Sequence, residues 1–413
     1  MDIAPADLTR VRELYTRGCY RQAHEATTAL GPLRTWAGTA ARLIGGRLAI
    51  QLGAPKLGRV MHLAAFRATP MHPEAIYYHA RYRMERFGPL SAWRFIRAHP
   101  DWSDASAELH ADWHALHAFV VARMRDFDRA ERLLNRAEAI NPDRPWTCIE
   151  RSSVYELADR LDDALVVARR ALELQSWFRP GVQSVAHVLL RLGRDREALD
   201  FLTEADTHLE SSLVTAQLAA TQTDLGHYAD ARRSLDRYAD LSPLLEPEVA
   251  KWLSARRADL AYYLGEPARA AAFAREVKDE YYDQFAAKLD ALAQDKERGG
   301  QGLGADAPRS PRKLLPVEVP PTPTVTVYDL LARYWNRPLS VGDGPPPGDG
   351  LPDAHDRHKA EEAGWVAREF TLSAEVADAL VTRGVPFLLT LVEAGFSQSR
   401  LCVGADAVRG SVS

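Results

Sequence analysis

One small residue returns at a nearly constant interval through the first 290 positions of the chain. Ala23, Gly58, Ala92, Ala130, Ala164, Ala198, Ala231 and Ala270 stand 35, 34, 38, 34, 34, 33 and 39 residues apart. A stack of helical hairpins needs such a period, because each hairpin can bury its apolar face only against its neighbours. The small residue marks where the two helices of a hairpin approach most closely. The period therefore predicts a mainly α protein, with a solenoid of about eight helix pairs over residues 5–290. Stacks of this kind chiefly bind other proteins.

The segment ADWHALHAFVVARMRDFDRAERLLNRAEAINPDR displays the unit best. Apolar residues recur at helical spacing in two runs, parted by a turn at MRDFD. Phe127, Ala130, Leu134 and Ala137 carry the second run, and Pro142 stops it. Later units repeat the pattern with Leu161, Ala164, Ala168 and Ala171, then Leu192, Gly193, Ala198 and Leu202, then Leu225, Gly226, Tyr228 and Ala231. Units near Tyr20, Gly58 and Gly88 are weaker, and the last, YYLGEPARAAAFA, follows a longer spacer. These positions resemble the tetratricopeptide repeat. An unrelated bundle with accidental spacing is the alternative, and eight units in register argue against it.

The resemblance implies a right-handed solenoid whose concave face is lined by the first helix of each pair. By register that face includes Arg123, Glu156, Gln183, His187, Arg191 and Thr223. These side chains are polar, mixed in charge and suited to hydrogen-bonding a protein or peptide segment. Each taken singly also reads as an ordinary solvated helix residue.

Composition narrows the partner class. The net charge is −4, with charged residues at 26%, so no general basic excess draws the chain to nucleic acid. Three cysteines, Cys19, Cys148 and Cys402, are too few and too scattered for a disulfide framework. The N-terminus lacks an apolar signal core, and the longest apolar stretches, such as VPFLLTLV, fall short of the ~20 residues that span a bilayer. A cytoplasmic protein with no membrane segment is the expectation. No phosphate loop, zinc-protease helix or paired-cysteine motif implies a cofactor.

His110, His114 and His117 lie on one helix face, a spacing that zinc can use. No fourth ligand is evident, and His114 and His117 fall where the repeat packs on its neighbour, so packing is the preferred reading and no metal is expected. His355 and His358, with Asp353 and Asp356, read as a solvated helix start.

Residues 291–322 are rich in Gly, Pro and charge and read as a linker, ending in an extended PVEVPPTP run. In residues 323–413 the pattern changes to α+β. VYDLLARYWN, HDRHKAEEAGW and AEVADALVTRG read as helices, REFTLS and VPFLLTLVE as strands, and RLCVGADAVRGSVS as a hairpin turned at Ala405 to Gly410. VYDLLARYW, HKAEEAGWVAREF, ALVTRGVPFLLTLVE and VGADAVRG, in that order, resemble the papain-like fold of C39-type peptidases, in particular the C39-like domains joined to tetratricopeptide repeats in bacterial proteins. The resemblance implies cysteine-peptidase ancestry, but its catalytic residues do not carry over. Pro323 falls where the family's Cys stands, Gln398 falls where its His stands, and the chain reaches Ser413 before its Asp. The oxyanion Gln is also missing, because residues 302–397 contain no Gln. The expected module is degenerate or truncated, a pseudoenzyme beside a binding scaffold. The alternative is a peptidase with a relocated nucleophile, for which Cys402 is the nearby thiol; a buried, inert Cys402 is the plainer reading.

Overall fold

In the computed structural model the described residues are 2–99, 102 and 105–297, followed by the short segments 312–313, 331, 374–382, 385–393, 396–402, 404–406 and 411–412. Contacts divide the chain into two units, Met1–Leu260 and Ala261–Ser413.

The first unit is built from antiparallel helix pairs. The first helices of the pairs are α1 (Pro5–Thr16), α3 (Thr39–Gln51), α5 (Pro73–Phe87), α7 (Ala107–Ala122), α9 (Pro145–Leu157), α11 (Arg179–Arg191), α13 (Ser212–Asp224) and α15 (Pro247–Tyr263). The second helices are α2 (Tyr20–Thr27), α4 (Pro55–Ala68), α6 (Pro89–Arg97), α8 (Phe127–Ile140), α10 (Leu161–Leu174), α12 (Asp195–His208) and α14 (Tyr228–Asp240), and α16 (Pro267–Val277) follows α15 along the chain. Each odd helix from α1 to α11 packs on the next odd helix as well as on its own partner. Packing of this kind places the odd helices in an inner layer and the even helices outside. Eight of these helices carry Pro in their first turn, where its missing N–H costs nothing: α1, α4, α5, α6, α9, α11, α15 and α16.

The markers that set the period are buried. Ala23, Ala92, Ala130, Ala164, Ala198 and Ala231 are sealed between paired helices, as is Gly58. At Gly58 even alanine is too large: a Cβ there would stand 2.6 Å from the Gly46 carbonyl oxygen and 2.5 Å from Ile50 Cγ1. A second landmark lies in the turns. Gly18, Gly53, Gly88, Arg125, Asp159, Gly193 and Gly226 all have positive φ, each just before the second helix of a pair. In most of these turns the next N–H reaches the carbonyl five residues back, as in Asp126 to Val121 and Arg194 to Leu189. Arg125 and Asp159 adopt this conformation without glycine, so the composition of the turn does not advertise it.

Residues far apart in sequence then meet. The turn between α3 and α4 runs beside the turn between α14 and α15: Leu244 N–H donates to the Leu52 carbonyl and Glu246 N–H to the Gly53 carbonyl, both at 3.0 Å. Glu246 also receives the N–H groups of Lys56 and Leu57, each at 2.8 Å. These belong to the first turn of α4, which has no intrahelical acceptor for them. Glu210 does the same for α2, accepting from the N–H groups of Arg21 and Gln22 at 3.1 and 3.3 Å. Ser212 Oγ donates to the Gln51 carbonyl at 2.7 Å. The first two helix pairs are thus stitched to turns near residues 210 and 246, with each carboxylate at the positive end of a helix. The contacts are tight. A Cβ on Gly18 would stand 2.9 Å from Leu209 Cδ2, and one on Gly53 3.0 Å from Ser242 Cβ.

In the second unit α16 packs against α17 (Glu280–Glu297), burying Ala270, Ala274, Phe285 and Leu289. Helix α17 continues past 291, where the linker was expected to begin, because helix-forming residues run on until Gly299. Beyond it lie β1 (Arg312–Lys313), α18 (Ala374–Thr382), β2 (Phe387–Glu393), β3 (Phe396–Cys402), β4 (Gly404–Asp406) and β5 (Ser411–Val412). Strands β2 and β3 form an antiparallel hairpin, and β4 pairs with both β1 and β5. The helix expected at AEVADALVTRG and the strand at VPFLLTLVE coincide with α18 and β2. Of the expected hairpin only the short β4–β5 pair forms, with Ala405 and Asp406 in the strand rather than the turn, because RLC is drawn into β3. Pairing of SQSRLC with β2 was not foreseen. Pro323, the histidines and aspartates at 353–358, the whole of the expected REFTLS strand, and all of the first two C-terminal helices except Leu331 lie outside the described residues.

Replacing Glu246 with Ala removes both acceptors from the start of α4. The expected loss is about 1–2 kcal/mol in urea unfolding, the scale of a helix cap, and Glu210→Ala is expected to lose a comparable amount through α2.

Candidate partner-binding surface

Much of the inner layer is occupied by its own charges. Arg47 of α3 lies over the Tyr15 ring at 4.4 Å and 3.8 Å from Glu74. Arg81 of α5 reaches past α7 to Glu150 of α9 at 3.0 Å, donates to Tyr77 Oη at 3.3 Å and sits 5.2 Å from the Trp146 ring. Burial lifts the Glu150 carboxyl above its usual range, against the pull of Arg81. Arg144 clasps Asp112 with two bonds of 2.8 and 2.6 Å. Burial pushes the hydroxyl of Tyr20, at the start of α2, up to about 12, against the pull of the nearby Arg179 guanidinium at the start of α11. A buried cation of this kind is matched by carboxylates and ring faces rather than left for a ligand. Sequence reading missed this belt, although Arg47 and Arg81 stand 34 residues apart, one repeat length.

The six residues expected on the concave face lie on or just after four successive inner helices. Arg123 caps the end of α7, Glu156 and Thr223 lie in the last turns of α9 and α13, and on α11 Gln183 lies in the first half and His187 and Arg191 in the second. His187 Nε2 lies 3.0 Å from Glu156 Oε2, and Arg191 approaches Asp159 at 3.9 Å. Arg123, His187 and Arg191 are exposed, and Glu156 is half-buried. The other two are engaged within the chain. The Gln183 amide oxygen accepts from Arg179, and Thr223 Oγ1 donates to the Ala219 carbonyl at 2.7 Å. The hydrogen bond to Glu156 raises His187 above the ordinary histidine value. What this rim offers is alternating charge on donors and acceptors that water can reach. No paired nucleophile and base are found within it.

The three histidines of α7 divide differently. Rings of His110 and His114 stand 5.0 Å apart. Both ring nitrogens of His114 and Nε2 of His117 are buried without a hydrogen-bond partner among the described residues. Burial, reinforced by Arg136 beside His114 and Arg129 beside His117, lowers both to about 4. Asp112, the adjacent carboxylate, is turned to Arg144.

No family model matches the chain, and no curated protein matches it. Among solved structures the chain is similar to the Pseudomonas aeruginosa pilF protein at 15% identity, covering 54% of this chain and 97% of that one with a TM-score of 0.38. It is similar to TTC0263, a thermophilic TPR protein of Thermus thermophilus, at 20% identity over 49% of this chain and 98% of that one, TM-score 0.34. A human IFIT1 dimer with PPP-AAAA is similar at 12% identity over 70% and 74% of the two chains, TM-score 0.44. The first unit is a tetratricopeptide-like helical-repeat stack. Its antiparallel pairs, buried small-residue markers and left-handed turns are those of such a stack. No helix among the described residues is long and apolar enough to cross a membrane.

The buried histidines carry a pH signature. Folded values near 4 for His62, His79, His114 and His117 lie below the unfolded value near 6.5. Their contribution to stability is whole above about pH 6.5 and is lost as pH falls toward 4. Urea midpoints are expected to drop across that window, and His117→Leu should make the drop shallower.

Proposed function

We propose that the chain is a protein–protein interaction scaffold. It binds a protein or peptide segment along the concave rim that carries Arg123, Glu156, Gln183, His187, Arg191 and Thr223, beside a non-catalytic C39-like module. The observation that supports this most is the exposed alternation of Arg123, Glu156–His187 and Arg191 across successive inner helices, where the neighbouring inner face is filled by its own ion pairs. An extended or helical ligand crossing several repeats meets one such group per repeat, which is how solenoids gain affinity from individually weak contacts. His187 makes the rim more cationic as pH falls.

The peptidase alternative would use Cys402 as nucleophile. Cys402 packs in an apolar cluster with Ala377, Val381 and Phe387 and is buried. A cysteine in such surroundings packs as a small hydrophobe. Of the two family positions, Gln398 falls in β3, opposite Leu391, while Pro323 is outside the described residues.

Two measurements test the reading. Display of peptides encoded by the source genome should enrich binders whose affinity falls tenfold or more in a His187→Ala/Arg191→Glu chain with unchanged thermal stability. Equal affinity would remove the rim from the function. Incubation of the full chain with a diverse peptide mixture should leave it uncut, and cleavage abolished by Cys402→Ala would establish the peptidase. In NMR titration, the His187 midpoint is expected above the ordinary histidine value and should fall back in Glu156→Gln.

A further inference from the structure

The charge balance of the whole chain hides a local excess. Residues 55–99 hold eight Arg and Lys side chains against two Glu and no Asp. Two of the eight, Arg81 and Arg83, are turned inward to Glu150 and to the Ser91 carbonyl. The other six, Lys56, Arg59, Arg67, Arg86, Arg94 and Arg97, are exposed. Arg97 lies over the Trp93 ring. No side-chain ion pair is made by any of the six among the described residues. The arginines on the outer helices from α10 onward mostly differ: Arg160, Arg169, Arg170, Arg194, Arg233 and Arg237 each meet a carboxylate. On α8, Arg129, Arg132 and Arg136 make no ion pair among the described residues, but Asp128, Glu131 and Glu138 share that helix.

The unmatched cations form two stripes on adjacent outer helices. On α4 the stripe runs Lys56, Val60, Leu63, Arg67, with Arg59 beside it; on α6 it runs Leu90, Arg94, Arg97. Both follow the spacing of one helix face. The two helices meet where the Phe66 and Phe95 rings pack edge to face at 5.8 Å, with His79 of α5 stacked on Phe66 at 4.0 Å. Apolar side chains interleave with the cations. Val60 is 55% exposed, Phe87 59%, Leu90 49% and Met71, in the turn before α5, 79%. Four large apolar residues left in water beside six unpaired cations point to an occupant that is both acidic and apolar.

We infer that the outer face of α4 and α6 docks an acidic amphipathic helix of a partner protein. Parallel helices leave a groove in which a third helix can lie, its apolar side against Val60, Phe87 and Leu90. Carboxylates spaced one turn apart on that helix would meet Arg59, Arg67 and Arg94, whose planar forks bind carboxylate at two points. The aliphatic and Phe anchors give a nucleic acid backbone nothing to pair with. The chain's net charge of −4 also opposes long polyanions and anionic bilayers, which would face its acidic repeats as well. A short helix is influenced by charges within about 10 Å, the screening length in ordinary salt. This surface is on the opposite side of the helix layer from the concave rim, so the inference does not depend on the proposed function.

The test is selection of a library of 20-residue helix-forming peptides, randomised at surface positions, on the intact chain. Enriched clones are then measured by fluorescence anisotropy against a chain carrying Arg59→Glu, Arg67→Glu and Arg94→Glu. Clones should be net acidic with an apolar stripe. They should weaken tenfold or more with the triple variant and lose affinity as salt rises. A Phe87→Ser/Leu90→Ser chain should weaken the same clones, and an Arg132→Glu/Arg196→Glu control on other outer helices should not. Thermal melts confirm that each variant folds. Enrichment of neutral or basic clones, or indifference to the triple variant, overturns the inference. So does tighter, variant-sensitive binding to phosphatidylserine vesicles or to a single-stranded oligonucleotide, which would reassign the face to a membrane or to nucleic acid.

Discussion

The close approach of paired helices governs everything else in the first unit. Where Gly46 and Gly58 face each other, even a methyl group would overlap a backbone carbonyl. Elsewhere alanine suffices, and its recurrence fixes the repeat length. Because the backbones lie so near, each pair is a thin slab whose inner helix can touch the next inner helix. The curvature of the stack and the crowding of its inner face both follow. A larger residue at any marker would part the helices and propagate a misfit to both neighbours.

Two kinds of charge matching coexist on this scaffold. Inside, Arg47, Arg81 and Arg144 are held by carboxylates and rings in partly desolvated positions. Removing one partner there would leave a buried charge uncompensated, which costs more than the pair gains. Outside, most arginines of repeats five to seven meet acidic residues on the same or a neighbouring helix, and such exposed pairs contribute little to stability. Their effect is to neutralise the surface. The outer face of α4 and α6 lacks this neutralisation, and it differs in chemistry from the rim near His187, where both signs alternate.

The helix pairs were legible because their signal is one of size and period: Ala130, Ala164 and Ala198 mark contacts that admit nothing larger. The rim was legible in part. Register placed Glu156 and His187 on neighbouring inner helices, and they touch. It could not reveal that Thr223 bonds its own helix or that Gln183 is taken by Arg179, since those depend on rotamers. The inner belt escaped because its partners, such as Arg81 and Glu150, are 69 residues apart and skip a repeat. The left-handed turns at Arg125 and Asp159 escaped because their residues are not those that favour the conformation. The stitching by Glu210 and Glu246 escaped for a further reason: a carboxylate in a loop carries no mark of the helix it will cap when that helix lies 190 residues away.

The same stitching changes how the first unit comes apart. In an open stack each repeat touches only its neighbours, so the ends fray and unfolding spreads inward one unit at a time. Here the second helices of the first two pairs cannot loosen without freeing Glu210 and Glu246 from their N–H groups, and releasing those turns exposes both ends of the array together. Order at the N-terminus is thereby linked to order near residue 246. Closing a loop of this length is also slow relative to forming local pairs, so the last step of folding should be the joining of two preformed halves. A solenoid built by repetition thus carries the long-range contacts on which the cooperativity of a globular domain rests.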